Sequence, residues 1–507
     1  MSHATSLFDR LACAQSEDEQ HRLTCWQAGW QASYSLADLD RMALRLARHL
    51  RHLGLRRGDR LGICAKNRLE WVLLDLASIK AGVQTCCFEP GRYTKDRDLA
   101  ARYELNLLYT DEPPHGAGAV DIRCVLQSIA GIPDGQPFAT HYAPLDCSTV
   151  KFTSGSTGAP KGLAATVQSV ERSLEEVQRI FQHGDGDNLL MFLPLSLLQQ
   201  RYWIYSALLY GHDVTLTTFE QVFAVLPQAR PTVVMGVPGF YDALKRRIEM
   251  AAGDSDCDAQ ALLDAAQAAL GGRIRYLWTG SAPAAPATLD FFDSLGLPLY
   301  EGYGMNETCI VSKNHPGAHR RGSVGRVLPH KRVRIDDDGV LHVGSDQPVN
   351  TRYEYSAPGD SERVFGAGGE VRTGDLARLD DDGYLYILGR SDDVLVLSNG
   401  KNVAAPQVER LLGEHPDVAQ CVAVGAGRPS LMAVVAARSP AAHAAIEAHV
   451  QALNARLPAE QRIARVVFAT EAFSVDNGQL STQFKPRRRQ IEQHYASQID
   501  QAYGVPA

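Results

Sequence analysis

Between positions 34 and 54 apolar residues return every three or four places, at Leu36, Leu39, Met42, Leu46, Leu50 and Leu53. That period predicts a helix with one buried face. Ser35 is placed to cap its first turn, where a side-chain oxygen can accept from an otherwise unpaired backbone N–H. Gly54 is placed to close it in a left-handed conformation. The pattern then changes. Residues 60–65 read as a short strand, and Leu69–Ala81 as a largely apolar helix closed by Gly82. Helix and strand go on alternating, with strands at 105–110, 188–193 and 212–216. Short apolar runs between helices mark parallel strands covered on both faces, so the chain predicts an α/β fold. Turn residues crowd between 327 and 359 and predict a smaller β-rich subdomain. Positions 251–272 are alanine-rich, with Leu262, Leu263 and Leu270 marking a face, and predict a docked helix.

After Arg390 the alternation starts afresh. A strand at 394–397 leads to the turn residues Ser398, Asn399 and Gly400, then a helix at Ala405–Leu412 and strands at Val418–Val424 and Leu431–Ala437. A helix at 440–456 and a strand at 465–469 complete a compact α+β unit. The expected division is a large N-terminal domain, residues 1–390, and a small C-terminal one, residues 391–507. Composition narrows the class only a little. With 45% apolar and 21% charged residues, the 507-residue chain is ordinary for a soluble protein. A net charge of −7 gives no electrostatic reason to bind nucleic acid or anionic membranes. Ten cysteines without CxxC spacing predict reduced thiols. No apolar run reaches the length of a membrane span and no leader pattern opens the chain, so a cytoplasmic protein is expected.

The candidate chemistry begins at residues 153–162, Thr-Ser-Gly-Ser-Thr-Gly-Ala-Pro-Lys-Gly. Gly155 and Gly158 allow close backbone approach to a ligand. The hydroxyls of Thr153, Ser154, Ser156 and Thr157 can surround a polyanion, and Lys161 adds a point charge. This is a phosphate cradle. It is not the GxxxxGK[ST] loop, because Pro160 precedes Lys161 and Gly162 follows it.

The same order resembles the TSGSTGxPKG signature of adenylate-forming enzymes, which include acyl-CoA synthetases, luciferase-like ligases and adenylation domains. Four further segments follow in that family's order. Residues 300–308, Tyr-Glu-Gly-Tyr-Gly-Met-Asn-Glu-Thr, are similar to its GYGxTE element. Residues 371–376, Val-Arg-Thr-Gly-Asp-Leu, are similar to YRTGDL, and residues 383–393 to GYxxxxGRxxD. Residues 478–489 resemble the ending that carries a catalytic lysine, here Lys485. The resemblance spans about residue 34 to 491 and implies a large ATP-binding domain with a small mobile one behind it.

It also implies roles. Residues 153–161 hold the β- and γ-phosphates of ATP, Glu307 is the magnesium ligand, and Asn306 stands where a threonine is usual. A single carboxylate beside phosphates suits Mg²⁺, which prefers oxygen donors. Tyr303 and Gly302, within Glu301–Gly304, face the adenine on one side and Gly280, Ser281 and Ala282 on the other. Asp375 accepts from the ribose hydroxyls, Arg390 holds them from the far side, and Ile387 lies in the same strand segment. Lys485 stabilises charge developing between carboxylate and α-phosphate. Asp392 is the hinge. In a rotated arrangement the loop with Ser398, Asn399, Gly400 and Lys401 lines a tunnel for the pantetheine of CoA.

Three segments tilt the resemblance toward long-chain fatty acyl ligases: Ser398–Val403 as SNGKNV, Val237–Asp242 as VPRxYE, and residues 193–201 as LPLSHxxER. The last departs from its pattern, with Leu197 at the histidine position and Gln200 at the glutamate position. Leu197, Trp203, Tyr241, Met305 and Ile310 are the candidate acyl-pocket residues. An amino-acid substrate is disfavoured, because Gly236-Val237-Pro238 supplies no aspartate for its amine. The expectation is a medium- or long-chain fatty acid converted through acyl-AMP to a thioester of CoA. The alternatives are loading of an acyl carrier protein and a non-catalytic nucleotide- or acyl-binding relative.

Overall fold

The computed structural model describes residues 6–27, 30–90, 98–112, 119–152, 161–253, 259–480 and 486–504. The helix expected from the first apolar period runs over Leu36–His52. The Ser35 hydroxyl accepts from the Asp38 N–H at 3.0 Å, and Gly54 takes a φ of +96° just past the end. Leu36, Leu39, Leu46 and Leu50 are fully buried, each a gain of about 1.5–3 kcal/mol over exposure. Leu53, which continues the period, is half exposed because it caps the helix instead of lying on its face.

Two large sheets carry the N-terminal part. Six strands pair in the order Ala119–Asp121, Leu107–Thr110, Arg60–Cys64, Gln84–Phe88, Cys147–Phe152 and Gly162–Thr166. All are parallel except the last pair, the hairpin whose connection carries the expected phosphate cradle. The second sheet has nine strands, with Asn188–Met191, Val233–Gly236, Tyr276–Thr279 and Leu299–Met305 parallel at its centre. One apolar cluster takes residues from both sheets, among them Ile63, Met191 and Tyr276. Helix Leu69–Ala81 is buried along all its residues, and Leu198–Tyr210 along nearly all. That explains why neither shows a polar face in the sequence.

A four-stranded antiparallel sheet, Lys331–Ile335, Val340–Ser345, Val371–Leu379 and Leu385–Arg390, forms the β-rich part. Beyond it lie the hairpin Val394–Val396 with Asn402–Ala404 and a three-stranded sheet of Val418–Val424, Leu431–Ala437 and Ile463–Phe468. The strand expected at 465–469 begins two residues earlier, where it pairs with Leu431. The alanine-rich stretch is the end of helix Pro238–Ala252 and the helix Ala259–Leu270. Among the described residues no helix is long and apolar enough to cross a membrane.

Under the nine-stranded sheet, two histidines are held without charge. His212 meets Ser206 Oγ at 2.6 Å through Nε2 and the Asp213 carbonyl at 3.0 Å through Nδ1. His183 meets the Tyr276 hydroxyl at 2.6 Å. Burial pushes His212 down to about 4 and holds His183 well below the ordinary imidazole value. The folded values lie below the unfolded ones, so this stability is complete above pH 6.5 and is lost as pH falls from there toward 4. The slope is about 1.4 kcal/mol per pH unit for each histidine. Urea midpoints of the wild type should therefore drop between pH 7 and 5, and His212→Gln should flatten that drop. Equal slopes for both proteins would show that His212 plays no part.

Candidate active site

The GYG segment is the strand Leu299–Met305, which turns through residues 306–308 into Cys309–Lys313. The two strands come so close at the turn that a Cβ on Gly304 would run into the Cys309 carbonyl. Cys309 itself has a φ of +53°, a left-handed conformation that only surrounding structure sustains in a side-chain-bearing residue. The register slips between Tyr303 and Gly304. Glu307 sits at the middle of this turn.

On one side of the hairpin the structure brings together the residues expected at the adenosine. Tyr303 donates through its hydroxyl to Asp375 Oδ2 at 2.5 Å, and Arg390 donates to Asp375 Oδ1 at 3.1 Å and to the Thr373 carbonyl at 2.8 Å. Gly374, with a φ of +73°, admits the guanidinium, which a Cβ there would meet at 2.9 Å. Burial and the Asp375 carboxylate push the Tyr303 hydroxyl well above its ordinary value, so it stays a donor. Ile387 packs in the same apolar group as Tyr303. The loop of Gly280, Ser281 and Ala282 follows strand Tyr276–Thr279 and is tied to the GYG strand by the Ala284 N–H, which donates to Glu301 Oε1 at 3.1 Å. Ser281 has a φ of +69°. A Cβ on Gly280 would lie 3.4 Å from the Gly302 carbonyl, so the two backbones are close.

On the other side are Glu307 and Lys161. Residues 153–158, the hydroxyls and glycines of the cradle, lie outside the described residues, as does Lys485. At the cradle's far end Gly162 exchanges backbone hydrogen bonds of 2.8 and 2.7 Å with Glu354. This pairing brings in two residues that sequence motifs did not single out. Tyr353 donates to Glu307 Oε1 at 2.5 Å while its ring lies 5.2 Å from Lys161 Nζ. Asp360 pairs with Lys161 at 3.2 Å. Burial and the Glu307 carboxylate hold the Tyr353 hydroxyl far above its ordinary value. One tyrosine thus bridges the acid and the cation expected to handle phosphate and metal. Among the described residues no cluster of three or more His, Cys, Asp or Glu side chains could hold a metal. The hard carboxylate of Glu307 fits Mg²⁺ held jointly with phosphate oxygens, which needs no protein cage.

Behind the turn lie two buried lysines. Lys151, from the strand that leads into the cradle, donates to the Asn306 carbonyl at 2.6 Å and lies 3.8 Å from Cys309 Sγ. Lys331, from the four-stranded sheet, donates to the Thr308 carbonyl at 2.8 Å and to Ser345 Oγ at 3.1 Å. Burial pushes Lys331 down to about 8. Burial alone would raise the Cys309 thiol, but the two ammoniums and the nearby hydroxyls outweigh it and hold it below its ordinary value.

The expected acyl-pocket residues divide between two apolar clusters. Tyr241 is fully buried, its hydroxyl 2.9 Å from both the Val234 and Trp278 carbonyls, in a cluster that Leu197 edges. Trp203 is buried in the other cluster, edge-on to Trp278 at 5.7 Å, with Ile310 inside it and Met305 half-buried against it. Trp203 and Tyr241 are core residues here; Leu197 and Met305 keep partly open faces. Arg201 is likewise wholly buried, paired with Asp75 at 2.9 Å. In the C-terminal part Asp392 falls in the short turn Ser391–Asp393 after the four-stranded sheet. Ser398, Asn399, Gly400 and Lys401 form the exposed tip of the hairpin, with Gly400 at a φ of +78° and Lys401 3.3 Å from Glu460.

This architecture is that of the adenylate-forming enzymes. The chain resembles o-succinylbenzoate CoA synthetase (MenE) from Bacillus subtilis in complex with its acyl-adenylate intermediate, at a TM-score of 0.78 and 21% identity over 96% of this chain and 98% of that one. It resembles ATP-bound MatB from Rhodopseudomonas palustris at 0.79 and 22% identity, over 97% and 98%. Residues 13–347 match the model of the AMP-binding enzyme family and residues 392–505 that of the AMP-binding enzyme C-terminal domain, so the chain belongs to this family. It is 27% identical to long-chain-fatty-acid–CoA ligase FadD15 of Mycobacterium bovis over 89% of each chain. It is 26% identical to 2-succinylbenzoate–CoA ligase of Bacillus licheniformis over 81% of this chain and 83% of that one.

Proposed function

We propose that the protein activates a carboxylic acid with ATP and transfers the acyl group to CoA. The observation that carries this reading is a pair of side-chain clusters at the strand Leu299–Met305 and the turn after it: Tyr303 with Asp375 and Arg390, and Glu307 with Tyr353 and Lys161. The first cluster suits adenosine, with one carboxylate for the ribose hydroxyls. The second suits the triphosphate, with a cation and a carboxylate on either side of Tyr353. A carboxylate oxygen attacks the α-phosphorus, forming the acyl–phosphate anhydride and breaking the bond to pyrophosphate. Lys485 stabilises the charge that develops there, and Lys161 exchanges Asp360 for phosphate oxygens. Mg²⁺, when bound at Glu307, neutralises charge on the departing phosphates. In the second step the CoA sulfur attacks the acyl carbon and AMP leaves. Turning about Asp392 takes Lys485 out and brings Ser398, Asn399, Gly400 and Lys401 to the thiol channel.

The acid we propose is an unbranched medium- or long-chain fatty acid. Two features support it: the fatty acyl–CoA ligase relatives, and Leu197, which makes the mouth of the acyl site apolar where a histidine is usual. Each methylene buried should contribute about 0.8 kcal/mol, or about fourfold in kcat/KM, until the pocket floor is reached. Pyrophosphate exchange measured across acids of graded length should climb in this way and then fall sharply. Faster exchange with 2-succinylbenzoate, an amino acid or acetate than with every fatty acid would overturn the substrate class. Acyl transfer to a carrier protein but not to CoA would change the acceptor alone.

A further inference from the structure

The turn that presents Glu307 is held from behind by two charges that no local motif requires. Lys151 and Lys331 are both buried, and their partners among the described residues are carbonyl, hydroxyl and thiol groups, not carboxylates. Burying an ammonium costs several kcal/mol before any partner is counted. The strand Cys147–Phe152 is buried at its central positions, where an apolar side chain would cost nothing of the kind. What the two lysines have in common is their target. Lys151 holds the carbonyl of Asn306 and Lys331 that of Thr308, the residues immediately before and after Glu307.

The lysines come from different sheets. Lys151 stands two positions ahead of the cradle in the six-stranded sheet, and Lys331 opens the four-stranded sheet. The turn itself belongs to the nine-stranded sheet. Three sheets therefore meet at one short turn, and two ammoniums lock it to the other two. The turn needs such support: Cys309 closes it in a left-handed conformation, and the hairpin changes register two residues ahead of Asn306. Thr308 adds a local bond, its hydroxyl lying 3.2 Å from the Met305 N–H. Tyr353 fixes the carboxylate from the front.

We propose that Lys151 and Lys331 are positioning residues that set the Glu307 carboxylate for the metal-dependent half of the reaction by clamping the peptides on either side of it. The inference rests on the reading of Glu307 as the magnesium-binding carboxylate. A group one step behind a metal ligand typically changes metal affinity or activity by about 10- to 100-fold when removed. Only adenylation uses that ligand, so the effect should be confined to one half-reaction.

The test compares Lys151→Met, Lys331→Met and Glu307→Gln. Methionine keeps the length and apolar volume of the lysine stem and removes its donor. ATP–pyrophosphate exchange is followed against Mg²⁺ concentration, and thioester formation is followed separately from supplied acyl-adenylate and CoA. Each methionine variant should lose about tenfold or more in exchange and need more Mg²⁺ for half-maximal rate, with thioester formation within about twofold of wild type. A parallel loss of both half-reactions would mean that the lysines only support the fold, and would overturn the proposal. So would normal exchange and normal Mg²⁺ dependence in both variants while Glu307→Gln is impaired. Normal exchange in Glu307→Gln would instead remove the reading on which the inference rests. If a methionine variant does not fold, Lys151→Leu or Lys331→Leu, which also removes the donor, is read by the same outcomes.

Discussion

Replacing Lys485 with alanine is expected to slow acyl-adenylate formation by on the order of 10²-fold or more and to leave thioester formation from supplied acyl-adenylate near the wild-type rate. One ammonium placed between the attacking carboxylate and the α-phosphate meets charge that exists fully only in the transition state. Its removal therefore acts on rate more than on substrate binding. The selectivity comes from the two arrangements proposed for the C-terminal domain: the lysine serves only the first. Leu480 pairs with Pro486, and the Arg487 N–H donates to the Gln479 carbonyl at 2.8 Å. Arg488 is paired with Glu409 and lies 3.7 Å from Asp393, next to the expected hinge. Equal loss of the two half-reactions, measured by pyrophosphate exchange and by CoA-dependent release of AMP, would sink the two-arrangement reading.

The second large effect is on stability and comes from the other end of the LPLSHxxER-like segment. Arg201 has no exposed surface, and its guanidinium reaches Asp75 Oδ1 at 2.9 Å and Thr149 Oγ1 at 3.1 Å. The Tyr205 hydroxyl donates to the second Asp75 oxygen at 2.5 Å. Asp75→Ala leaves a buried guanidinium with no counter-charge, a loss of about 3–5 kcal/mol. Replacing both partners by apolar residues, Asp75→Leu with Arg201→Met, should recover much of it, because the desolvation cost of the pair goes too. Urea denaturation of the single and double variants checks this. A loss below about 1 kcal/mol in Asp75→Ala would mean that water or another group already compensates the arginine. Thr149 lies on the strand that runs into the phosphate cradle, so the pair also anchors the cradle's base.

The sequence by itself determined what depends on neighbours a few residues apart. The helix at Leu36–His52, with its Ser35 cap and its Gly54 exit, follows from side chains that act within one turn. Helix Ala405–Leu412 and strands Val418–Val424 and Leu431–Ala437 were legible to the residue, because apolar runs of strand and helix length stand between clear turn residues. The meeting of Tyr303, Asp375 and Arg390 was legible as well: they lie far apart in the chain, yet each sits in a short motif, and the three side chains join as those motifs led one to expect.

Tertiary structure alone decided the groups that act on that site from other elements. Tyr353 reaches Glu307 across 46 positions and Lys151 reaches Asn306 across 155, and nothing in the intervening chain encodes either separation. The only local sign of Lys151 was a charge in the short run Thr149–Phe152 that leads into the cradle. Asp360 met Lys161 because the segment after Val349 folds back to pair with Gly162. Trp203 and Tyr241 show the converse. Large and apolar in a suggestive segment, they were pocket candidates whose plainer reading was core, and both are buried. Periodicity reports that a side chain faces inward. Whether it meets a ligand or another side chain there depends on which elements the fold stacks against it, and that is settled only by packing.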